Sequence, residues 1–328
     1  MGACLMDLIQ NILNVIVPPL MIISLFIVYP LYLIYKLLHF IKRLITSENV
    51  AGKVVLVTGA ASGIGEQICY EYARRRARLV LVDITDDLLG RVVRNVRSFG
   101  SPEVISITAD VSKEDDCKRF VEEAVKHFHR LDHLVNNAGI ARVKLYEEIK
   151  SFSDFSYVMD VNFWGGAYAT HFAIAHLRKT RGKIIVMASS VGWYPFPRFS
   201  FYNASKAAVI TFYETLRTEI GNSNIGITIV TPGLVKSALS QTEPAKSALG
   251  CIPMASPEQC GKAIVRSACR GDKYVVEPSW VNSLYLLKVL CPDLVESCNR
   301  FLFITSNKTA PPINGLHKAL VSADHKSD

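Results

Sequence analysis

The sequence predicts an α/β fold, a doubly wound parallel sheet preceded by an N-terminal hydrophobic membrane anchor. Three observations carry the prediction. Short β-rich runs alternate with longer helical ones beyond Glu48. A glycine-rich turn joins the first of those runs to the helix after it. An uncharged stretch fills Ile12 to Tyr35. Strand and helix in turn imply right-handed crossovers with helices on both faces, and ligands at the carboxyl ends of the strands.

The chain has 328 residues, 50% of them hydrophobic, enough for one large α/β domain with appendages. Its 37 Lys and Arg against 29 Asp and Glu give a net charge of +8. The basic residues are scattered rather than striped with aromatics, which argues against a nucleic-acid partner. Lys36, Lys42 and Arg43 directly follow the apolar stretch, where they suit an anionic membrane surface. The eight cysteines form no CxxC and no zinc spacing, and Cys251, Cys260 and Cys269 are nine apart. No metal site is expected, and the chain reads as one from a reducing compartment.

Residues 1–46 form the anchor. The uncharged run is long enough to cross a bilayer as a helix. It lacks the basic n-region and small-residue cleavage site of a signal peptide. The start Met-Gly-Ala-Cys-Leu-Met lacks the Ser or Thr of a myristoylation signal, while Cys4 is a juxtamembrane candidate for palmitoylation. Pro18, Pro19 and Pro30 each remove a backbone donor. Two geometries follow: a kinked single span with the basic cluster on the cytosolic side, or a hairpin that enters one leaflet.

Residues 47–280 form the folded domain. Strands are expected at Lys53–Val57, Leu79–Val82, Val104–Ile107, His133–Val135, Lys183–Val186 and Ile227–Val230. Helices are expected at Ile64–Arg75, Asp86–Ser98, Lys113–His129, Phe155–Arg178, Ser200–Ile220 and Pro257–Arg270. Arg74, Arg75, Arg76 and Arg78 fall at the end of the first of these helices, where cations offset the macrodipole. Residues 281–328 comprise an apolar segment and, from Asn307, a polar tail. Trp280, Leu284, Tyr285, Leu287, Val289 and Leu290, then Phe301–Ile304, could cap a pocket, dip into a membrane or pair two subunits as a homodimer.

The turn Thr58-Gly59-Ala60-Ala61-Ser62-Gly63-Ile64-Gly65 places three glycines between strand and helix. That spacing permits a tight turn and close backbone approach to a pyrophosphate facing the helix N-terminus. Asp83 ends the second strand, where a carboxylate accepts hydrogen bonds from ribose hydroxyls and repels a 2′-phosphate. Ser62 supplies no compensating cation, so the residues favour NAD over NADP. In Phe-Tyr-Asn-Ala-Ser-Lys, Tyr202 and Lys206 stand one helical turn apart, close enough for an ammonium to act on a phenol.

Thr58–Gly65, Asp110-Val111, Asn136-Asn137-Ala138-Gly139, Asn162, Ser189, Tyr202-x-x-x-Lys206 and Pro232-Gly233 occur in the order and spacing of the short-chain dehydrogenase/reductase family. Over about residues 50–280 the chain resembles that family, and with it the Rossmann-type fold. Its proline-bearing anchor, Ser47–Val55 and the stretch from Trp193 to Lys206 resemble the plant hydroxysteroid dehydrogenase-like branch called steroleosins. The resemblance implies a catalytic tetrad. Tyr202 is the general acid/base; bringing a phenol from its usual pKa near 10 toward neutrality is worth about 4 kcal/mol. Lys206 favours the phenolate and holds the nicotinamide ribose. Ser189 hydrogen-bonds the substrate oxygen, with Ser190 as the other candidate. Asn162 holds a water linking Lys206 to solvent, or is a helix-interior side chain satisfied by backbone.

The resemblance also implies that Asp110 and Val111 flank adenine and that Asn136, Asn137, Ala138 and Gly139 floor the site. Val235, after Pro232 and Gly233, presents backbone to the carboxamide, and Ser237 stands where the family often has Thr. Arg76-Ala77 occupies a place where relatives often have Gly. Steroleosins imply NADP, in disagreement with Asp83. Trp193, Tyr194, Phe196, Phe199 and Phe201 are expected to wall an apolar pocket for a steroid or another lipophilic alcohol or ketone. The function expected is therefore that of an NAD(P)-dependent hydroxysteroid dehydrogenase on a lipid droplet or endoplasmic reticulum membrane, with its catalytic domain facing the cytosol. A retinol or fatty-alcohol dehydrogenase and a non-catalytic lipid-droplet coat protein are the alternatives. The sequon at Asn203 lies in the catalytic helix and is expected to stay unmodified; a second lies at Asn307.

Overall fold

A computed structural model describes residues 2–45, 47–237, 240 and 252–305. The side chains of Cys4, Lys42 and Arg43, and all of Cys251 and the tail from Asn307, lie outside the described residues. The chain divides into two compact units, Met1–Glu48 and Asn49–Asp328.

The first unit is one helix, α1 (Gly2–Ile45), which carries Pro18, Pro19 and Pro30 inside it. The chain runs through all three prolines as a continuous helix, and the hairpin alternative is not formed. Its apolar stretch Leu5–Leu38 spans 34 residues at a mean hydropathy of 2.4, and its side chains are exposed. At 1.5 Å per residue that is about 51 Å, against a bilayer core of about 30 Å. By length and composition the helix is able to cross a membrane.

The second unit is built on a seven-stranded sheet in the order β3-β2-β1-β4-β5-β6-β7. The strands are β1 (Val54–Thr58), β2 (Arg78–Asp83), β3 (Val104–Thr108), β4 (His133–Asn136), β5 (Lys183–Met187), β6 (Gly226–Pro232) and β7 (Tyr274–Glu277). Every neighbouring pair is parallel. The strand order reverses between β1 and β4, which opens a crevice at their carboxyl ends. Six strands match the expected positions. The seventh, Tyr-Val-Val-Glu, is too short to show a period, and its pairing with β6 is a tertiary contact.

Strand β1, Val-Val-Leu-Val-Thr, is buried throughout, as a central parallel strand covered on both faces must be. Val55 and Val57 pack with Ile68 and Ala73 of α2 (Gly63–Arg74), Leu89 of α3 (Asp86–Ser98) and Ile264 of α8 (Pro257–Arg270). Val54 and Leu56 face the other way. They pack with Phe120 of α4 (Glu114–Phe128), Leu177 of α6 (Gly165–Thr180) and Tyr213 of α7 (Ser200–Glu219). The alternation of side chains along one strand thus assigns three helices to each face.

Two local departures have physical causes. The helix expected over Phe155–Arg178 is α5 (Ser153–Met159), a π-helical turn at Asp160–Trp164, and then α6. At that turn Gly165 lies against Val111, so close that a Cβ would fall 2.9 Å from its carbonyl oxygen. After α2, Arg76 adopts φ 59, the left-handed region that favours glycine. There its amide donates to the Ala73 carbonyl at 2.8 Å and closes the helix end. The apolar segment after Pro278 forms α9 (Asn282–Leu290) and α10 (Pro292–Arg300).

Candidate active site

The crevice at the carboxyl ends of the strands holds a cavity of about 610 Å³. Its inner end is the glycine-rich turn after β1. Gly59 and Gly63 both take left-handed φ, 64 and 58. A Cβ on Gly59 would fall 2.8 Å from the Cα of Ala138, whereas one on Gly63 would meet nothing nearer than Ser237 at 3.7 Å. Gly63 therefore leaves room for a ligand beside its backbone. Gly65 is packed beneath the turn, against the Gly59 carbonyl and Asn137, and does not reach the cavity. Ser62 caps α2 without a side-chain hydrogen bond, which leaves the first-turn amides to an external acceptor.

Asp83 lines the cavity at the end of β2. Its carboxylate oxygens accept the amides of Ala61 at 3.0 Å and Thr85 at 3.1 Å, so it is held rigidly and each oxygen keeps a lone pair. Asp110 is fixed in the same manner by the amide and hydroxyl of Ser112, and Val111 lies beside it in the wall. Asn137 donates to the carbonyls of Thr58 and Gly59, tying the end of β4 to the turn. Asn136 points away from the cavity, into a buried network with Thr170 and Tyr213. Ser62, Ile64, Ala138, Gly139, Pro232, Gly233, Val235 and Ser237 complete this end of the lining. The left-handed turn, the uncapped amides and the fixed carboxylate fit a nicotinamide dinucleotide.

The candidate reacting groups come from the end of β5 and from α7. Ser189 follows β5, and Tyr202 and Lys206 lie one turn apart on α7; all three line the cavity. Burial pushes the Tyr202 phenol above its ordinary range, and a hydrogen bond with Ser189 pulls it back. Lys206 is 3% exposed. Burial brings its ammonium down to about 8. Its Nζ donates to the Met187 carbonyl at 2.8 Å and lies 5.7 Å from the centroid of the Tyr202 ring. The sequence leads one to expect the ammonium to draw the phenol toward neutrality; in this structure desolvation is the larger effect. Ser190 also lines the cavity, but the side chain that lowers the phenol is Ser189, whose Oγ donates to the Pro232 carbonyl at 3.3 Å and accepts the Val191 amide at 3.4 Å.

Asn162, in the π turn, is behind the wall. Its Oδ1 accepts the Ile140 amide at 2.8 Å, and its Nδ2 donates to the Ile140 carbonyl and to Ser205, each at 2.9 Å. Both amide hydrogens are thereby used, while Oδ1 keeps a second lone pair. A Cβ on Gly139 would sit 3.2 Å from Asn162 Oδ1 and 3.3 Å from Lys206 Nζ. The two groups therefore share one small space.

The outer end of the cavity is apolar. Phe199 is buried in a cluster with Tyr202, Phe196, Ala141, Val143, Leu234 and Ile252. Trp280, Val281 and Leu284, from the segment after Pro278, also line the cavity. Three of the five expected wall aromatics are elsewhere. Trp193 packs on Tyr285 of α9 with centroids 5.6 Å apart, Phe201 packs on Phe155 at 4.9 Å, and Tyr194 lies behind Phe196 at 5.4 Å. Sequence reasoning also missed Tyr157 and Ile252, which no motif marks, and Ile140–Val143, which directly continue one.

The short chain dehydrogenase family profile matches residues 53–248. The chain is 47% identical over 333 residues to the 11-beta-hydroxysteroid dehydrogenase-like 6 of Arabidopsis thaliana, covering 98% of this chain and 97% of that one. It is 45% identical over 312 residues to an 11-beta-hydroxysteroid dehydrogenase of Pinus massoniana, covering 91% and 87%. A solved short chain dehydrogenase/reductase from Burkholderia phymatum in complex with NAD superposes with a TM-score of 0.69 at 23% identity. That match covers 75% of this chain and 96% of the other, and it shows the shared fold. With the profile spanning more than half of the chain and curated relatives matching nearly all of it, the protein belongs to the short-chain dehydrogenase/reductase family, as an NAD(P)-dependent oxidoreductase.

Proposed function

We infer that the protein is a membrane-anchored hydroxysteroid dehydrogenase that interconverts a steroid or similar rigid lipid alcohol and its ketone. The observation that carries this is the cavity itself. The Ser189–Tyr202–Lys206 set stands between a glycine-lined, dinucleotide-fitting end and an apolar end closed by Phe196, Phe199 and Leu284. Of the two plant relatives one is named an 11-beta-hydroxysteroid dehydrogenase and the other 11-beta-hydroxysteroid dehydrogenase-like, which agrees with an apolar substrate of this class.

Bound at the inner end, the nicotinamide cofactor supplies the hydride acceptor for oxidation and the donor for reduction. The chain's own residues handle the proton. Ser189 holds the carbinol oxygen beside the Tyr202 hydroxyl. In oxidation the Tyr202 oxygen takes the carbinol proton, and in reduction it returns one to the ketone oxygen. Lys206, kept in place by the Met187 carbonyl, stabilises the phenolate electrostatically and offers its remaining hydrogens to the nicotinamide ribose. A water in the space above Gly139, between Asn162 Oδ1 and Lys206 Nζ, would carry the proton onward. Asp83 accepts the ribose hydroxyls, which favours NAD over NADP.

The decisive experiment is turnover by the purified full-length chain with NAD or NADP and a panel of steroid alcohols and ketones, read as nicotinamide absorbance. Conversion of at least one steroid is expected, and no conversion across the panel would overturn the reading. Helix α1 holds the enzyme on an endoplasmic reticulum or lipid-droplet surface with the catalytic unit in the cytosol. Burying each large apolar side chain of α1 is worth about 1.5–3 kcal/mol, against about 1 kcal/mol for each basic residue near the surface. High salt should therefore leave the protein in the membrane fraction on flotation. Release by salt alone would show that charge, not α1, does the holding.

A further inference from the structure

Among the described residues only two cations line the cavity, Lys206 and Arg142. Lys206 is buried at the reacting centre. Arg142 is exposed, and its neighbours in the chain, Ala141 and Val143, pack in the apolar cluster with Tyr202 and Phe199. That places Arg142 on the substrate side of the phenol. The acids that line the cavity, Asp83 and Asp110, belong to the ends of β2 and β3, on the opposite side of β1.

No ion pair engages Arg142 among the described residues. Its Nη1 reaches only the carbonyl of Ala141, at 3.5 Å, the outer limit of a hydrogen bond. The Lys144 amide donates to the Arg198 carbonyl at 2.8 Å, joining the Arg142 loop to the one before α7, and Arg198 Nε is buried without a partner. The loop also carries Glu147, which is exposed. The carboxylate of Glu148, on the same loop, accepts the Leu145 amide. A guanidinium left free beside an apolar wall can form a charge-assisted pair with a carboxylate or sulfate, and bidentate geometry makes such pairs strong.

We propose that Arg142 selects lipid alcohols and ketones that carry an anionic group, a carboxylate or sulfate, at the end remote from the reacting carbinol. The apolar body of such a substrate lies along Phe196 and Phe199, its oxygen meets Ser189 and Tyr202, and its anion meets Arg142 at the rim. This rests on the dehydrogenase reading for the reaction, but the charge preference is a property of binding. A headgroup of a surrounding membrane has the same chemistry. The position of Arg142 in the wall of the cavity that holds Tyr202 favours the substrate.

The test uses the full-length chain in detergent, saturated with NAD, and two probes. One is a 3-hydroxysteroid with a side-chain carboxylate; the other is its methyl ester. Calorimetry should show the acid binding at least tenfold more tightly than the ester. Arg142→Gln should bring that ratio to about one while the dissociation constant for NAD stays as in the wild type. Where the probes are turned over, the loss should appear in KM rather than kcat. Equal binding of acid and ester by the wild type, binding of neither, or a ratio unchanged in Arg142→Gln would each overturn the proposal. So would a variant that weakens NAD to the same degree, since Arg142 would then contact the cofactor. A variant that loses only its binding to anionic vesicles, with the acid-to-ester ratio intact, would assign Arg142 to the membrane and overturn it too. A charge preference in binding without turnover of any steroid would instead sink the hydroxysteroid reading and leave the role of Arg142 standing.

Discussion

The inner end of the cavity is walled largely by backbone: Gly59 and Gly63 in left-handed conformations, the uncapped start of α2, and a carboxylate held by two amides. Its outer end is walled by side chains drawn from separate stretches of chain, including Tyr157, Phe196, Phe199, Ile252 and Leu284. The first kind of wall depends on glycine, at Gly59 because a Cβ would clash with Ala138 and at both positions because of the left-handed φ. The second depends on volume and polarity, which many residue combinations supply. This division suits an enzyme that keeps one cofactor and adapts its substrate. Between the two ends stands the pair whose chemistry burial controls, Tyr202 and Lys206.

That comparison breaks most severely at the junction. Tyr202→Phe preserves the ring in its cluster and removes the proton carrier, so turnover should fall by about 10²–10⁴-fold while NAD binding stays within twofold of wild type. Steady-state kinetics paired with calorimetry reads both. Wild-type turnover in the variant would remove the phenol from the mechanism.

Lys206→Met should abolish turnover and weaken NAD, and it carries a signature in stability. The ammonium has a folded-state pKa of about 8 against an ordinary 10.5. Above 10.5 the group is neutral in both states and burial costs nothing through ionisation. As pH falls from 10.5 to 8 the unfolded chain gains a proton that the folded one does not, and stability is lost; below 8 the loss is constant. The difference is worth about 3 kcal/mol at 1.36 kcal/mol for each tenfold change. Denaturant unfolding should thus show Lys206→Met gaining stability relative to wild type as pH drops from 10.5 to 8. A difference independent of pH would show that Lys206 is not held by a desolvated site.

Substitutions confined to one end sharpen the contrast with smaller effects. Asp83→Ala should narrow the preference for NAD over NADP by roughly tenfold, the effect of about one charge-assisted hydrogen bond, with the KM for steroid unchanged. A wild-type preference for NADP would contradict the role given to this carboxylate. Phe196→Ala should raise the KM for steroid by several-fold through lost apolar contact, with the KM for NAD unchanged. If either variant shifted both constants together, the two ends would not be independent.

What the sequence determined alone is the inner end. Strands β1 to β6 announce themselves as β-rich runs, and Gly59, Gly63, Asp83, Tyr202 and Lys206 occur at spacings that local geometry translates directly into a turn, a strand end and one face of a helix, whereas Ser189 was marked only by the family resemblance. A left-handed turn needs its glycines in sequence order, and a helix brings residues four apart together whatever surrounds it. Tertiary structure decided the rest. It turned Trp193 and Phe201 away from the cavity, recruited Tyr157 and Ile252 into it, set Leu284 of α9 in its wall and bonded Asn162 to Ile140. It also set the protonation balance of Tyr202, because desolvation depends on everything packed around a group and not on its neighbours in the chain. Apolar side chains carry no directional signal. Which of them walls a cavity and which fills a core is settled only when distant segments meet.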